Sequence, residues 1–382
     1  HDASLRGRPV VVGGTGPRGV VAAASYEARR HGVRSAMPVS LARRRCPGLV
    51  VVPPHRGRYV AAASEVFAIL ESFTPVVERI SIDEAFLDVA GLRLRYPDAV
   101  VVAEEIRRRI RREVGLPASV GVASNRFVAK VASGRAKPDG LLVVARGSEE
   151  AFLAPMPVET LWGVGPATAA ALASLGVVTV GDLAAVPPAT LRARLGTTMG
   201  DRLHELARGR DPRSGPDAPA NRSVSVEETF AADVRGAEAL ERELRALCER
   251  LDARLRRAGV VGRTVVVKVR FADFRTVTRS TTAAAPMGSS LEVWPHALSA
   301  LARARVGDRP VRLLGVGLTG VVAAGEGVEQ LSFDAPRRAS IASVAAEIKA
   351  RFGDDVLVPG RLLGDPDGPE RSRRGSVYWP YE

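Results

Sequence analysis

The run Ser81-Ile82-Asp83-Glu84-Ala85-Phe86-Leu87-Asp88 sets an acidic pair inside an otherwise apolar, strand-like stretch. Ile80, Ile82, Phe86, Leu87 and Val89 favour burial. Asp83 and Glu84 oppose it, because an ionised carboxylate taken out of water is costly unless something positive meets it. Neighbours on a straight strand point to opposite faces. Two adjacent carboxylates therefore serve one site only if the chain turns or bulges there. A divalent metal is the natural partner. Two carboxylates are too few to hold two hard cations, so at least one more acid has to come from elsewhere. The plainer alternative is that the pair marks a turn or a solvated face.

A chain of 382 residues, 46% of them hydrophobic, has room for two to four domains with real cores. Its formal net charge of +13 favours a polyanionic partner, nucleic acid before membrane surface. The same balance would arise in any protein of an Arg-rich proteome. The cations are overwhelmingly Arg; Lys stands only at Lys130, Lys137, Lys268 and Lys349. Cys46 and Cys248 lie far apart, which excludes a zinc motif and argues against a disulfide framework. A reducing cytoplasm fits. No apolar run reaches the length of a membrane span and no signal peptide is visible.

Strand and helix patterns alternate around the acidic pair. Pro9 to Val12 reads as a short strand. The glycine-rich Gly13 to Gly19 that follows lacks the Gly-Lys-Ser/Thr ending of a phosphate loop, and its chemistry is that of a hairpin turn. Tyr59 to Ser72 and Asp98 to Val114 read as helices, the second with Val102, Ile106 and Ile110 inward and Gly115 as its C-cap. Arg107 to Arg112 looks like a DNA patch. However, Glu104 and Glu105 stand four residues before Arg108 and Arg109, which favours a salt-bridged, solvated face. Ala118 to Ala123 reads as a strand and Asn125 to Ser133 as a short helix. Beyond Val144 the pattern is helical as far as Ala207, and Gly209 to Asn221 has the composition of a linker. Asp233 to Gly259 reads as a long helix with Leu240, Leu244, Leu247, Leu251 and Leu255 on one stripe. Thr264 to Phe271 alternates like a half-buried strand, with Val265, Val267, Val269 and Phe271 inward and Lys268 and Arg270 outward. The tail after Ala323 holds one further helical pattern, Ala339 to Phe352.

Other stretches carry chemistry of their own. Tyr26 and Arg29, three apart, share a helix face. Tyr26 can donate a phenolic hydrogen bond, Arg29 can make a bidentate charge-assisted contact, and Lys137 offers a point charge. Val164-Gly165-Pro166 can bind phosphate through backbone N–H groups at a helix start, with Gly163 and Gly165 allowing close approach. Arg275, Thr276, Thr278, Arg279 and Ser280 combine cations and hydroxyls on a strand edge, a set suited to phosphate without reading bases.

Val20 to Pro38, the acidic run, Ser124 to Lys130 with Ala136 to Gly140, Leu161 to Pro166, and Phe271 to Arg279 stand in an order that resembles the Y-family translesion DNA polymerases, the bacterial DNA polymerase IV branch above all. The resemblance spans nearly the whole chain. It implies an α+β multidomain, right-handed polymerase: fingers 1–55, palm 56–143, helix-hairpin-helix thumb 144–209, linker 210–221, little finger 222–322 and tail 323–382. The implied activity is low-fidelity, template-directed DNA synthesis past lesions, on primer-template DNA with dNTP and two Mg²⁺ ions, by a nucleoid-associated monomer. Asp83 is then a metal ligand, Glu84 helps to position the metal at the primer hydroxyl, and Tyr26, Arg29 and Lys137 contact the triphosphate. Ser81 and Asp88 are structural. Ala22, Ala23, Ala24 and Ala36 fit an open lid over the base pair. Gln330, Leu331 and Phe333 resemble a peptide that docks on the sliding clamp, one apolar anchor short.

One departure stands against the resemblance. The family opens with a palm strand bearing an Asp metal ligand, followed by a helix that holds the sugar-discriminating side chain. Here His1 to Pro9 is similar to the segment after that helix. About 20 residues are therefore expected to be missing, the sugar-discriminating residue among them. Asp2 precedes a polar turn and is a poor substitute. The rival expectation is a non-catalytic DNA- and clamp-binding protein on the same fold.

Overall fold

The structure, a computed structural model, describes residues 2–211 and 223–324, with 344, 347–349, 351, 353 and 356 beyond them. The described residues fall into two compact units. One holds those up to Pro54 and those from Ser223 onward; the other holds His55 to Asp211.

In the first unit the chain starts with a short 3-10 turn, Ala3–Leu5, which Asp2 caps by accepting from the Ser4 N–H at 3.0 Å. Strand β1 (Val10–Gly13) and β2 (Val21–Ala24) form the hairpin that the glycine-rich stretch implied. Helix α1 (Tyr26–Arg30) follows, capped by Ser25 on the Ala28 N–H, and then α2 (Val39–Arg45). Strand β3 (Val50–Val52) pairs parallel to β1, giving the order β2-β1-β3. Val11, Val21, Ala28, Val33 and Ala42 form the core beneath.

In the second unit α3 (Arg56–Glu71) leads into the antiparallel hairpin of β4 (Val77–Arg79) and β5 (Ala85–Leu87). Helix α4 (Ala99–Glu113) is capped by the Asp98 carboxylate; its C-cap is Val114, one residue before the expected Gly115, which takes the left-handed geometry that follows the cap, φ +73°. Its Val102, Ile106 and Ile110 pack with Phe67, Ile69 and Leu70 of α3. The solvated-face reading of the Arg run holds with partly different partners. Arg108 pairs with Glu105, Arg109 with Glu113 at 3.0 Å, and Arg111 with Asp139. Strand β6 (Val120–Val122), helix α5 (Arg126–Arg135) and strand β7 (Leu141–Val143) form a βαβ unit with parallel pairing. A Cβ on Gly121 would run into the Ala129 carbonyl, so α5 lies directly on β6. Helices α6 (Glu149–Leu153), α7 (Pro166–Ala173), α8 (Val180–Ala185), α9 (Pro188–Leu195) and α10 (Thr197–Ala207) then gather around Leu153, Leu172, Leu183, Leu191, Leu203 and Leu206.

The chain after the expected linker, which lies almost wholly outside the described residues, returns to the first unit. Strand β8 (Ser223–Val234) runs through Asp233, so the long helix α11 (Ala237–Ala258) starts later than its sequence pattern suggested. Val234 is held by pairing with Val311, and the Asp233 carboxylate by Arg18 at 2.8 Å. Strands β9 (Val260–Phe271) and β10 (Thr276–Met287), helix α12 (Ser290–Arg303) and strand β11 (Val311–Ala323) complete a sheet ordered β10-β9-β11-β8. The leucine stripe of α11 is buried against Val265, Val267, Val269 and Phe271, as both periodicities require. Of the expected tail helix, Lys349 is described and buried, its ammonium 2.7 Å from Glu249 on α11. Gln330, Leu331 and Phe333 lie outside the described residues.

Candidate active site

Asp83 and Glu84 stand not within a strand but on the turn that joins β4 to β5. The Ile80 and Ser81 N–H groups both donate to the Glu84 carbonyl, at 2.9 and 3.2 Å, and close that turn. The physical requirement that adjacent carboxylates need a bend is thus met. Asp83 is exposed, and its Oδ1 accepts from Ser81 Oγ at 2.5 Å. Ser81 thus holds the Asp83 carboxylate. Asp88 Oδ1 accepts from the Ala90 N–H at 2.8 Å.

The hairpin has two unlike faces. Val77, Ala85 and Leu87 turn into the α3–α4 core. Glu78 and Glu84 meet cations one turn apart on α5. Lys130 Nζ lies 2.6 Å from Glu84 Oε2, and the Arg126 guanidinium pairs with Glu78 while covering the Phe86 ring at 5.6 Å. Arg126 Nε is buried without a hydrogen-bond partner among the described residues. Trp162 packs on Phe86 and on Phe127, with ring centroids 6.1 and 5.7 Å apart. The acidic hairpin therefore touches the segment that leads directly into Gly163.

The donor set at the turn is all oxygen, the kind a hard divalent cation takes. It falls short in number. Both acids already have protein partners, and among the described residues no cluster of three or more His, Cys, Asp or Glu side chains could hold a metal. Asp83 and Glu84 by themselves do not make a cage for two ions.

Tyr26 and Arg29 share a face of α1, with the Arg29 guanidinium 5.9 Å from the Tyr26 ring centroid. Arg29 Nε donates to the Ala24 carbonyl at 3.0 Å, which sets its direction, and Tyr26 is 46% exposed. These two belong to the first unit. Asp83, Glu84 and Lys137 belong to the second, where Lys137 is exposed just after α5.

Gly163 has φ +93° and Gly165 is the N-cap of α7, with Pro166 at the first helical position. The α7 N–H groups at that end have no side-chain cap, the arrangement that suits a phosphate.

The strand-edge set divides by the two-residue alternation of β10. Thr276, Thr278 and Ser280 share one exposed face of this edge strand. Arg279 lies on the other, where Val277 packs into the core. Its Nε donates to the Arg303 carbonyl at the end of α12, at 3.1 Å. Arg275 precedes the strand in the β9–β10 turn.

Lys130 and Arg126 were not legible as partners of the acidic hairpin. Lys130 and Glu84 are 46 residues apart, and the only local signal was the four-residue spacing of two cations on α5.

Comparison with known proteins accounts for this assembly. A family model described as impB/mucB/samB family matches residues 1–134, and its C-terminal domain matches 221–333. A model described as the thumb domain of DNA polymerase iota matches 159–211. A protein of Desulfatibacillum aliphaticivorans named DNA polymerase IV is 41% identical over 95% of this chain and 93% of its own length. One of Ralstonia nicotianae with the same name is 46% identical over 83% of this chain and 88% of its own. Among solved structures, a Y-family DNA polymerase chimera of Dbh and Dpo4 has a TM-score of 0.77 at 23% identity, covering 84% of this chain and 94% of that one. DinB from Sulfolobus solfataricus, at 23% identity, covers the same shares with a TM-score of 0.56. At those identities the structures speak for the fold, and the sequence relatives speak for the family. The chain belongs to the Y-family DNA polymerases, in the DNA polymerase IV branch.

Proposed function

We propose that this chain is a low-fidelity, template-directed DNA polymerase that extends a primer 3′-hydroxyl with dNTP past damaged template bases. The observation that carries this reading is the acidic turn. Asp83 and Glu84 are presented together at its apex, in a chain whose named relatives are DNA polymerases IV over most of its length.

In this reading Asp83 and Glu84 are two carboxylates of a divalent centre that takes two Mg²⁺ ions. Two carboxylates are too few for two hard cations, so this reading requires a third. Tyr26 donates its phenolic O–H, Arg29 its guanidinium and Lys137 its ammonium to the triphosphate, whose several charges need more than one cation. Their task is to orient the nucleotide, since positioning alone can supply a large part of a barrier reduction. The backbone around Gly163 and Gly165 and the side chains of Arg275, Thr276, Thr278, Arg279 and Ser280 hold primer-template DNA by its phosphates, without base readout. Gln330, Leu331 and Phe333 dock on the sliding clamp. Among the described residues no helix is long and apolar enough to cross a membrane. We assign the protein to the nucleoid as a monomer, because DNA is the substrate in this reading.

The test is extension of a labelled primer in Mg²⁺. This chain runs beside the same chain carrying an added N-terminal strand that bears one aspartate. Extension by the lengthened form alone supports the requirement for a third carboxylate. If neither form extends the primer while both bind it, the rival DNA-binding accessory role replaces the polymerase reading.

A further inference from the structure

The β9–β10 turn carries a phenylalanine where the backbone favours glycine. Phe274 has φ +66°, in the left-handed region that an L side chain enters at a cost. The turn is closed around it: the Phe274 N–H donates to the Phe271 carbonyl at 3.0 Å, and the Phe271 N–H donates to the Arg275 carbonyl at 2.9 Å. Asp273 Oδ1 accepts from the Arg275 N–H, also at 2.9 Å. A turn built this firmly holds the ring outward. Phe274 is 63% exposed, whereas Phe271, three residues earlier, is 2% exposed.

The surroundings are cationic. The Arg312 guanidinium lies 4.7 Å from the Phe274 centroid and leaves much of the ring open. Sheet register sets Val311 beside Phe271 on one side and Val234 on the other, so Arg312, Arg270 and Arg235 gather at one end of the sheet. Arg275 and Arg309 join them there, stacked on Phe271 at 5.5 and 3.9 Å. An exposed aromatic at positive φ, with one guanidinium on its ring and further arginines at the same end of the sheet, suits a partner that is both flat and anionic. Unpaired nucleotides have that chemistry: every base offers a π-face, and every phosphate a charge. A protein partner would need apolar neighbours around the ring, which the arginines deny it.

We infer that Phe274 is a stacking platform for an unpaired base of single-stranded DNA, with Arg312 and Arg275 gripping the adjacent phosphates. The inference rests on the DNA-polymerase reading and adds a subsite for unpaired template.

Fluorescence anisotropy of the full chain tests it on three DNAs: a blunt duplex, the same duplex with a single-stranded template overhang, and one whose overhang is abasic. Phe274→Ala should weaken binding to the ordinary overhang about fivefold or more, the smaller end of what one stacked base contributes. It should leave the blunt and abasic DNAs within about twofold of wild type, and Phe274→Trp should retain the tight binding. Equal weakening on all three DNAs, or no change on any, overturns the platform. If the wild type binds none of the three, the polymerase reading falls and the subsite with it.

Discussion

Glu84 and Lys130 illustrate how much a single pair decides. Their heads are 2.6 Å apart, yet the side chains are 41% and 28% exposed, so solvent screens the attraction. Lys130→Ala should therefore cost at most about 1 kcal/mol of stability in urea unfolding. A larger loss would mean that Lys130 holds the fold rather than the turn. Cys248 is the opposite case. Burial pushes its thiol up to about 12, from an ordinary value of 9.0. Native chain should leave Cys248 unlabelled by a thiol reagent at pH 8, with labelling appearing only on unfolding. The folded state keeps that proton where the unfolded state gives it up. The thiol's contribution is therefore complete below pH 9 and is lost as pH rises from about 9 to about 12. The stability of wild type relative to Cys248→Ala should fall across that window and stay flat below it. At this scale the sequence displayed the acids plainly but not their partners, because an ion pair between the β4–β5 turn and α5 leaves no local pattern.

At the scale of elements, periodicity was a sound guide wherever one face is buried. The α11 stripe and the alternation of β9 meet in one core, and Leu251 is fully buried there. Leu251→Ala should cost about 2–5 kcal/mol, read as a shift in the urea midpoint. Gly121→Ala should also destabilise, by about 1–3 kcal/mol, because the new methyl would meet α5 backbone. Periodicity failed where another element competes. Asp233 and Val234 look helical in sequence, but the first joins Arg18 and the second pairs with Val311, so the strand takes them. The hydroxyl-rich edge strand was legible as a group, but the division of its side chains between two faces was not. Arg279→Ala should weaken binding to all DNA sequences alike and lower the salt slope of log K by about one. A change in sequence preference would speak against a phosphate role for this strand.

At the scale of the whole molecule, the order of the motifs was more informative than any one of them. The acidic run, the Tyr26–Arg29 helix, Lys137, the glycine turn before α7 and the hydroxyl-rich strand each have an ordinary explanation alone. In register they anticipated a family that the relatives then bore out over 95% of the chain. What the motifs hid was the division between units, with Tyr26 and Arg29 in one and the acidic turn in the other. The central claim is that Asp83 serves chemistry while DNA is held elsewhere. The most direct test pairs two measurements on Asp83→Ala, made in whichever form extends a primer: the rate of Mg²⁺-dependent nucleotide incorporation, and the affinity for the same primer-template. The account predicts loss of synthesis by about a hundredfold or more, with affinity within about twofold of the parent, because an interaction used only in the transition state lowers rate and not binding. Equal loss of rate and affinity, or full retention of synthesis, would contradict it.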